Sequence, residues 1–307
     1  MTQELPYHIP ALLPESLRAL DLHPGGIYVD ATYGGGGHSS AILEQLDASA
    51  GGHLYAFDQD MDAIARAPQD DARLTMVYSN FRFITNWMRF HEVDAVDGVL
   101  ADLGVSSHHF DDAERGFSFR ADGPLDMRMN RSARETAADI LATRSAEELT
   151  RIWKLYGEFD QAARLARAVV KAREEGRPMT RISDLLALVG PMTDPRREKK
   201  ELAQVFQGLR IEVNRELDAL RELLEGALRV LKPGGRLAVI TYHSLEDRLV
   251  KNFIKTGNFD GTVEKDFFGR SNAPMKPLSG KPIVPTAEEV ERNPRARSAK
   301  LRVGIKN

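Results

Sequence analysis

The chain has 307 residues, 42% apolar and 28% charged, with a formal net charge of −3, which is enough for one large domain or two modest ones. It contains no cysteine, excluding disulfides, thiol catalysis, iron–sulfur clusters and Cys-ligated zinc. No apolar run approaches ~18 residues and the opening residues lack a basic segment followed by an apolar one, so neither a membrane span nor a signal peptide is expected and the expected compartment is the cytoplasm.

In chain order, an apolar run at 26–31 breaks into Tyr33-Gly34-Gly35-Gly36-Gly37-His38-Ser39-Ser40, and a helix-like stretch begins at Ala41. Glycines at such a turn let the backbone approach a ligand and reach φ > 0. A second apolar run, 53–58, ends in Asp58, at a spacing that suits a carboxylate gripping ribose hydroxyls. Strand-like runs recur at 74–78 and 98–102, with helical stretches at 61–67 and 83–91 between the early strands. Such alternation predicts a parallel sheet covered by helices. From about 110 to 210 the β signal stops, and helical segments follow at 146–155, 159–175, 182–189 and 199–207. A long amphipathic helix is expected over 212–231. Lys232-Pro233-Gly234-Gly235 ends it, and 236–241 reads as another strand. Residues 258–291 are Gly/Pro-rich and loop-like. The expected architecture is an α/β domain of residues 1–108 and 212–307 interrupted by a helical insertion, 109–211.

Charge is uneven along this order. Residues 1–143 carry a net −12, residues 144–215 a net +4, and residues 292–307 six basic groups and no acid. Basic segments on an acidic chain suit a polyanion partner docked on one surface; they equally suit solvated helix faces with a loose basic tail.

The glycine turn does not fit a dinucleotide. That fingerprint needs Gly-x-Gly-x-x-Gly/Ala, and the third position is Ser39 when read from Gly34 and Ser40 when read from Gly35. Acidic Asp30 just before the turn suits a cationic ligand such as S-adenosylmethionine, and also reads as a turn or capping residue. Asp30, Asp58, Phe81 and Asp102 follow four successive strand-like runs, so in an open parallel sheet they would converge on one crevice. Phe81 suits an adenine neighbour or a core position.

Several longer strings carry a resemblance. They are His8-Ile9-Pro10-Ala11-Leu12-Leu13-Pro14-Glu15, Gly36-Gly37-His38-Ser39, Asp102-Leu103-Gly104-Val105-Ser106-Ser107, Asp111-Asp112-Ala113-Glu114-Arg115-Gly116-Phe117-Ser118-Phe119 and Asp122-Gly123-Pro124-Leu125-Asp126-Met127-Arg128-Met129. Later come Phe206-Gln207-Gly208-Leu209-Arg210-Ile211, His243-Ser244-Leu245-Glu246-Asp247-Arg248 and Asn293-Pro294-Arg295-Ala296-Arg297-Ser298-Ala299-Lys300-Leu301-Arg302. In these the chain resembles the bacterial MraW/RsmH family of 16S rRNA cytosine-N4 methyltransferases, nearly end to end. The resemblance implies a class I, Rossmann-like methyltransferase sheet with an inserted all-helical domain, S-adenosylmethionine as donor, and a cytidine of 16S rRNA as acceptor, within the small ribosomal subunit or its precursor. Oligomeric state stays open, a homodimer included. It would place Gly36, Gly37, His38, Asp58, Phe81, Asp102 and His109 on the cofactor. The chain departs from the family at Tyr33-Gly34-Gly35, where Phe-Gly-Arg is common, and at His108-His109, where Pro-Gln or Met-Gln is usual.

Cytosine N4 is a weak nucleophile, so the reaction needs in-line positioning and acceptors for the amino hydrogens. The segment after Asp102 would supply acceptors from its backbone carbonyls or from Ser106, which also reads as a simple turn residue. His243 could orient the base or accept a proton, or be a structural histidine. No His or carboxylate spacing suits a metal. A target base must be splayed out and stacked, for which Trp153, Tyr156, Phe117 and Phe119 are candidates. Arg164, Arg167, Lys171 and Arg173, with Arg295, Arg297, Lys300 and Arg302 in the tail, are candidates for phosphates. The competing classes are a nicotinamide oxidoreductase and a non-catalytic RNA-binding assembly protein.

Overall fold

Short β-rich runs that end in acids become the strands of one sheet. The computed structural model describes residues 10–105, 110, 112–265, 267–269 and 272–307. The chain divides into two units, one made of residues up to Gly104 together with Leu217–Asn307, the other of Val105–Glu216.

The first unit opens with α1 (Leu13–Leu20), β1 (Ile27–Asp30), α2 (Gly37–Leu43), β2 (His53–Asp58), α3 (Met61–Arg66), β3 (Leu74–Tyr78), α4 (Ile84–Phe90) and β4 (Val96–Asp102). The second unit holds α5 (Ala137–Thr143), α6 (Ala146–Leu155), α7 (Ala162–Glu174), α8 (Ile182–Val189) and α9 (Glu198–Asn214). The first unit then resumes through α10 (Glu216–Val230), β5 (Leu231–Thr241), α11 (Ser244–Thr256), β6 (Met275–Pro277), α12 (Ala287–Arg292) and β7 (Lys300–Lys306).

The strands form one sheet in the order β3-β2-β1-β4-β5-β7-β6. β1 to β5 pair in parallel, and β7 lies antiparallel to both neighbours. This is the expected Rossmann-like α/β sheet. Val29, Leu54, Ala56, Val99, Leu100 and the run from Leu237 to Ile240 are at most 1% exposed, as strands covered on both faces should be. Strand order reverses between β1 and β4, so the crevice outside their carboxyl ends is the topological switch point where open α/β sheets bind ligands.

The helix expected over 212–231 is in fact two. Arg215 has φ 49°, and its N–H donates to the Ile211 and Glu212 carbonyls, which closes α9 before α10 begins. Left-handed geometry costs a side-chain-bearing residue about 1 kcal/mol or more. Local contacts inside the second unit hold it: Arg210 Nε lies 2.9 Å from Glu216 Oε1, and the Asn214 amide donates to the Met127 carbonyl while accepting from the Met129 N–H. The helix expected from 159 begins at Ala162, because Glu158 is also left-handed (φ 51°). The loop-like stretch 258–291 contains β6 and most of α12, and the basic tail is a 3-10 segment at Pro294–Ser298 followed by strand β7.

The second unit has its own core. Trp153, Leu165, Ala166, Val169, Ile182, Leu185, Val205 and Leu209 are fully or almost fully buried. Thr136 and Ser145 build capping boxes at the starts of α5 and α6, satisfying N–H groups a helix leaves free.

Candidate functional site

Two glycines of the turn take up left-handed backbone. Gly34 and Gly36 have φ of 55° and 77°, the left-handed region glycine enters freely. A Cβ on Gly36 would come within 2.6 Å of the Tyr33 hydroxyl. Gly37 is constrained by packing instead, since its Cβ would lie 2.4 Å from the Pro10 ring.

The strand ends behind this turn carry a network of acids. Asp30, at the tip of β1, is fully buried; its Oδ2 accepts from the Ser39 hydroxyl at 2.6 Å and its Oδ1 from the Thr32 N–H at 3.0 Å. Burial pushes the Asp30 carboxyl up, and the Ser39 and Thr32 donors oppose that shift. Ser39, where a dinucleotide turn would have glycine, is therefore the partner of a buried acid. At the tip of β2, Asp58 accepts from the Gly34 N–H through Oδ2 and from the Asp60 N–H through Oδ1, both at 2.8 Å. That carboxylate fixes the turn. Phe81 begins a single 3-10 turn after β3, capped by Asn80, and is partly exposed.

Asp102 ends β4 beside Asp30. Its N–H donates to Thr32 Oγ1 at 2.6 Å, and its Oδ1 accepts from the Tyr242 hydroxyl at 2.8 Å. His38, 6% exposed, lies across from it: Nε2 is 3.2 Å from the Ala11 carbonyl and donates to it, and Nδ1 is 3.7 Å from Asp102 Oδ2, an ion pair when the imidazole is protonated on both nitrogens. Burial pushes the Asp102 carboxyl up to about 6, with His38 and the Tyr242 hydroxyl pulling it back. The glycine turn, Asp30, His38, Asp58 and Asp102 thus share one hydrogen-bonded and ion-paired neighbourhood. Ser106 and His109 lie outside the described residues.

His243 caps α11. Its Nδ1 accepts from the Glu246 N–H at 3.5 Å, and its Nε2 stands 3.1 Å from Glu246 Oε1. The other Glu246 oxygen accepts from the Tyr242 N–H at 2.9 Å.

Several candidate RNA contacts are structural. Trp153 is fully buried and donates Nε1–H to the Val205 carbonyl, and Phe117 is 5% exposed in the same core; neither presents a face to a base. Tyr156 and Phe119 are partly buried against that core. Arg173 donates to the carbonyls of Leu141, Ala142 and Arg144, tying down the end of α5. In β7, Arg302 Nε lies 2.6 Å from Asp247 and Lys300 3.6 Å from the same carboxylate. Both pair with one acid of the fold, so this part of the tail is not a loose basic arm. Arg164, Arg167, Arg295 and Arg297 are exposed.

Thr32 and Tyr242 are the residues that pattern reasoning passed over as ligands of Asp102. An Asp-x-Thr step is a recognisable local hydrogen-bonding unit, but the Tyr242 partnership requires knowing that β4 and β5 are neighbours.

Residues 6–307 match the model of the MraW methylase family. A protein of Parabacteroides distasonis named ribosomal RNA small subunit methyltransferase H is 60% identical over 301 residues, covering 98% of this chain and 97% of its own length. Proteins of the same name from Phocaeicola vulgatus and Cytophaga hutchinsonii are 57% identical over 300 residues and 53% identical over 298. They cover 98% and 97% of this chain, and 97% and 98% of their own.

Proposed function

The chain belongs to the MraW methylase family, and from that premise we infer that it transfers a methyl group from S-adenosylmethionine to the exocyclic N4 amino group of a cytidine in small-subunit (16S) ribosomal RNA. One observation carries the reading at the site: a glycine turn with no room for a Cβ at Gly36 stands beside three acids, Asp30, Asp58 and Asp102, at the switch point of a parallel sheet. Such a set suits an adenosine cofactor that is cationic. When bound, that cofactor supplies a methyl group on a sulfonium, with a neutral thioether as leaving group.

The assignments of individual residues are our proposal. Gly36 and Gly37 let the backbone approach the donor. Asp58, oriented by two N–H groups, presents its carboxylate to ribose hydroxyls. Phe81 packs beside the adenine. Asp102, flanked by His38, meets the positive charge of the donor, and His109 adds a hydrogen bond. Ser106 accepts from the amino group of the target cytidine, which favours a more pyramidal nitrogen and gives its proton a way out; His243, whose two ring nitrogens both face Glu246, orients the segment after β5 rather than touching the base. Alignment of that nitrogen with the methyl group is the larger contribution. The helical unit recognises the RNA, with exposed Arg164 and Arg167 on α7 against phosphates. We assign the reaction to the small subunit or its precursor, in the cytoplasm.

Mass mapping of 16S rRNA from cells with and without the gene tests this. Loss of one N4-methylcytidine on deletion, restored by the wild-type gene, is the expected result; an unchanged nucleotide overturns it. Calorimetry separates the rival classes, since S-adenosylmethionine should bind and NAD should not.

A further inference from the structure

We propose that Tyr242 is a positioning residue for methyl transfer, its hydroxyl holding the Asp102 carboxylate ionised and aimed at the positive charge of the donor. This rests on the assignment of Asp102 to the donor made above.

The geometry for such a role is built in from both ends. Tyr242 Oη donates to Asp102 Oδ1 at 2.8 Å, and the Tyr242 backbone N–H is fixed at 2.9 Å by Glu246, itself 3% exposed. Asp102 is anchored in turn by its own N–H on Thr32 Oγ1. The hydroxyl and the carboxylate therefore meet with both backbones pinned, and the hydrogen bond costs little ordering.

The surroundings explain why a donor is needed there. Asp102 faces His38 from α2, Tyr242 after β5, Asp30 from β1 and Glu246 from α11; Glu289 from α12 adds a further negative charge near Tyr242. Burial and the acids Asp30 and Glu246 disfavour the ionised form. His38 and the Tyr242 hydroxyl favour it. A hydrogen bond donated to the charged form stabilises that form selectively, so Tyr242 sets how far the pH must fall before Asp102 takes up a proton. A protonated Asp102 has no charge to offer a sulfonium or an ammonium.

The test uses full-length protein and its Tyr242→Phe variant. S-adenosylmethionine affinity is measured by calorimetry from pH 5.5 to 8.5, and the Asp102 carboxyl is titrated by carbon NMR in the ligand-free protein. The expected result is an upward move of the Asp102 titration in the variant. A move of one pH unit from about 6 weakens donor binding about fivefold at pH 6 and leaves it within about twofold at pH 8.5. A merely structural tyrosine would weaken binding equally at every pH. Parallel pH profiles with an unmoved carboxyl resonance overturn the proposal.

If Tyr242→Phe does not fold, 3-fluorotyrosine incorporated at position 242 takes its place. Its more acidic hydroxyl should move the Asp102 titration down, and no movement overturns the proposal. Wild-type protein that binds no S-adenosylmethionine at any pH would instead overturn the functional reading, and the ligand-free titration would still decide the role of Tyr242.

Discussion

Single residues at the strand tips trade stability for function. The Asp102 carboxyl titrates near 6 in the folded chain, against about 3.8 when unfolded. The folded state therefore binds this proton more tightly, and the group subtracts stability progressively as pH rises from about 4 to about 6. Asp102→Asn keeps an acceptor for Tyr242 and removes the charge. Thermal unfolding of the ligand-free variant should show it more stable than wild type at pH 7.5, by at most about 3 kcal/mol, with the difference gone below about pH 3, while S-adenosylmethionine affinity collapses. Gly36→Ala should fail differently. Its φ of 77° costs an alanine about 1 kcal/mol or more, and its Cβ would press on the Tyr33 hydroxyl. Calorimetry should show donor binding lost while circular dichroism stays native. The acids and glycines of this site are legible in the sequence because each follows an apolar run that ends abruptly. The Tyr242–Asp102 bond is not, because its partners stand 140 positions apart and only the pairing of β4 with β5 brings them together.

At the scale of elements, what misleads in the sequence is charge. Lys300-Leu301-Arg302-Val303-Gly304-Ile305-Lys306 alternates with period two, as a strand covered on one side should, and Leu301 and Val303 are buried. Its basic residues nevertheless read as a solvated tail until Asp247 supplies their partner. Arg302→Ala should cost about 1–3 kcal/mol in urea unfolding with RNA affinity nearly unchanged. An Arg297→Ala variant should leave stability within about 0.5 kcal/mol in the same unfolding measurement, since that side chain is exposed. In the helical unit, Trp153→Ala should destabilise by about 3–5 kcal/mol, measured as an earlier loss of helix signal, because the ring fills the core. The parallel strands and most inserted helices announce themselves by periodicity. The break at Arg215 does not: no glycine or proline marks it, and the contacts of Arg210 and Asn214 that hold it are specific to the folded unit.

For the molecule as a whole, net charge is a poor guide to its partner. The −3 total conceals a net +4 over residues 144–215, and the phosphate contacts proposed for Arg164 and Arg167 on α7 make a quantitative demand. Binding of 16S rRNA should weaken steeply with salt, and the Arg164→Ala, Arg167→Ala double variant should flatten the slope of log affinity against log salt by about 1.4–1.8. A slope equal to wild type would remove those residues from the interface. The chain's connectivity has a temporal consequence as well. Residues 105–216 are contiguous and carry their own core, whereas the sheet needs β5 and β7 from beyond them. On a ribosome, where domains fold as units from the N-terminal side, the helical unit can complete itself while the sheet is still half made. Asp102 then waits without Tyr242 until β5 emerges, so the donor site cannot be completed before the helical unit has been made.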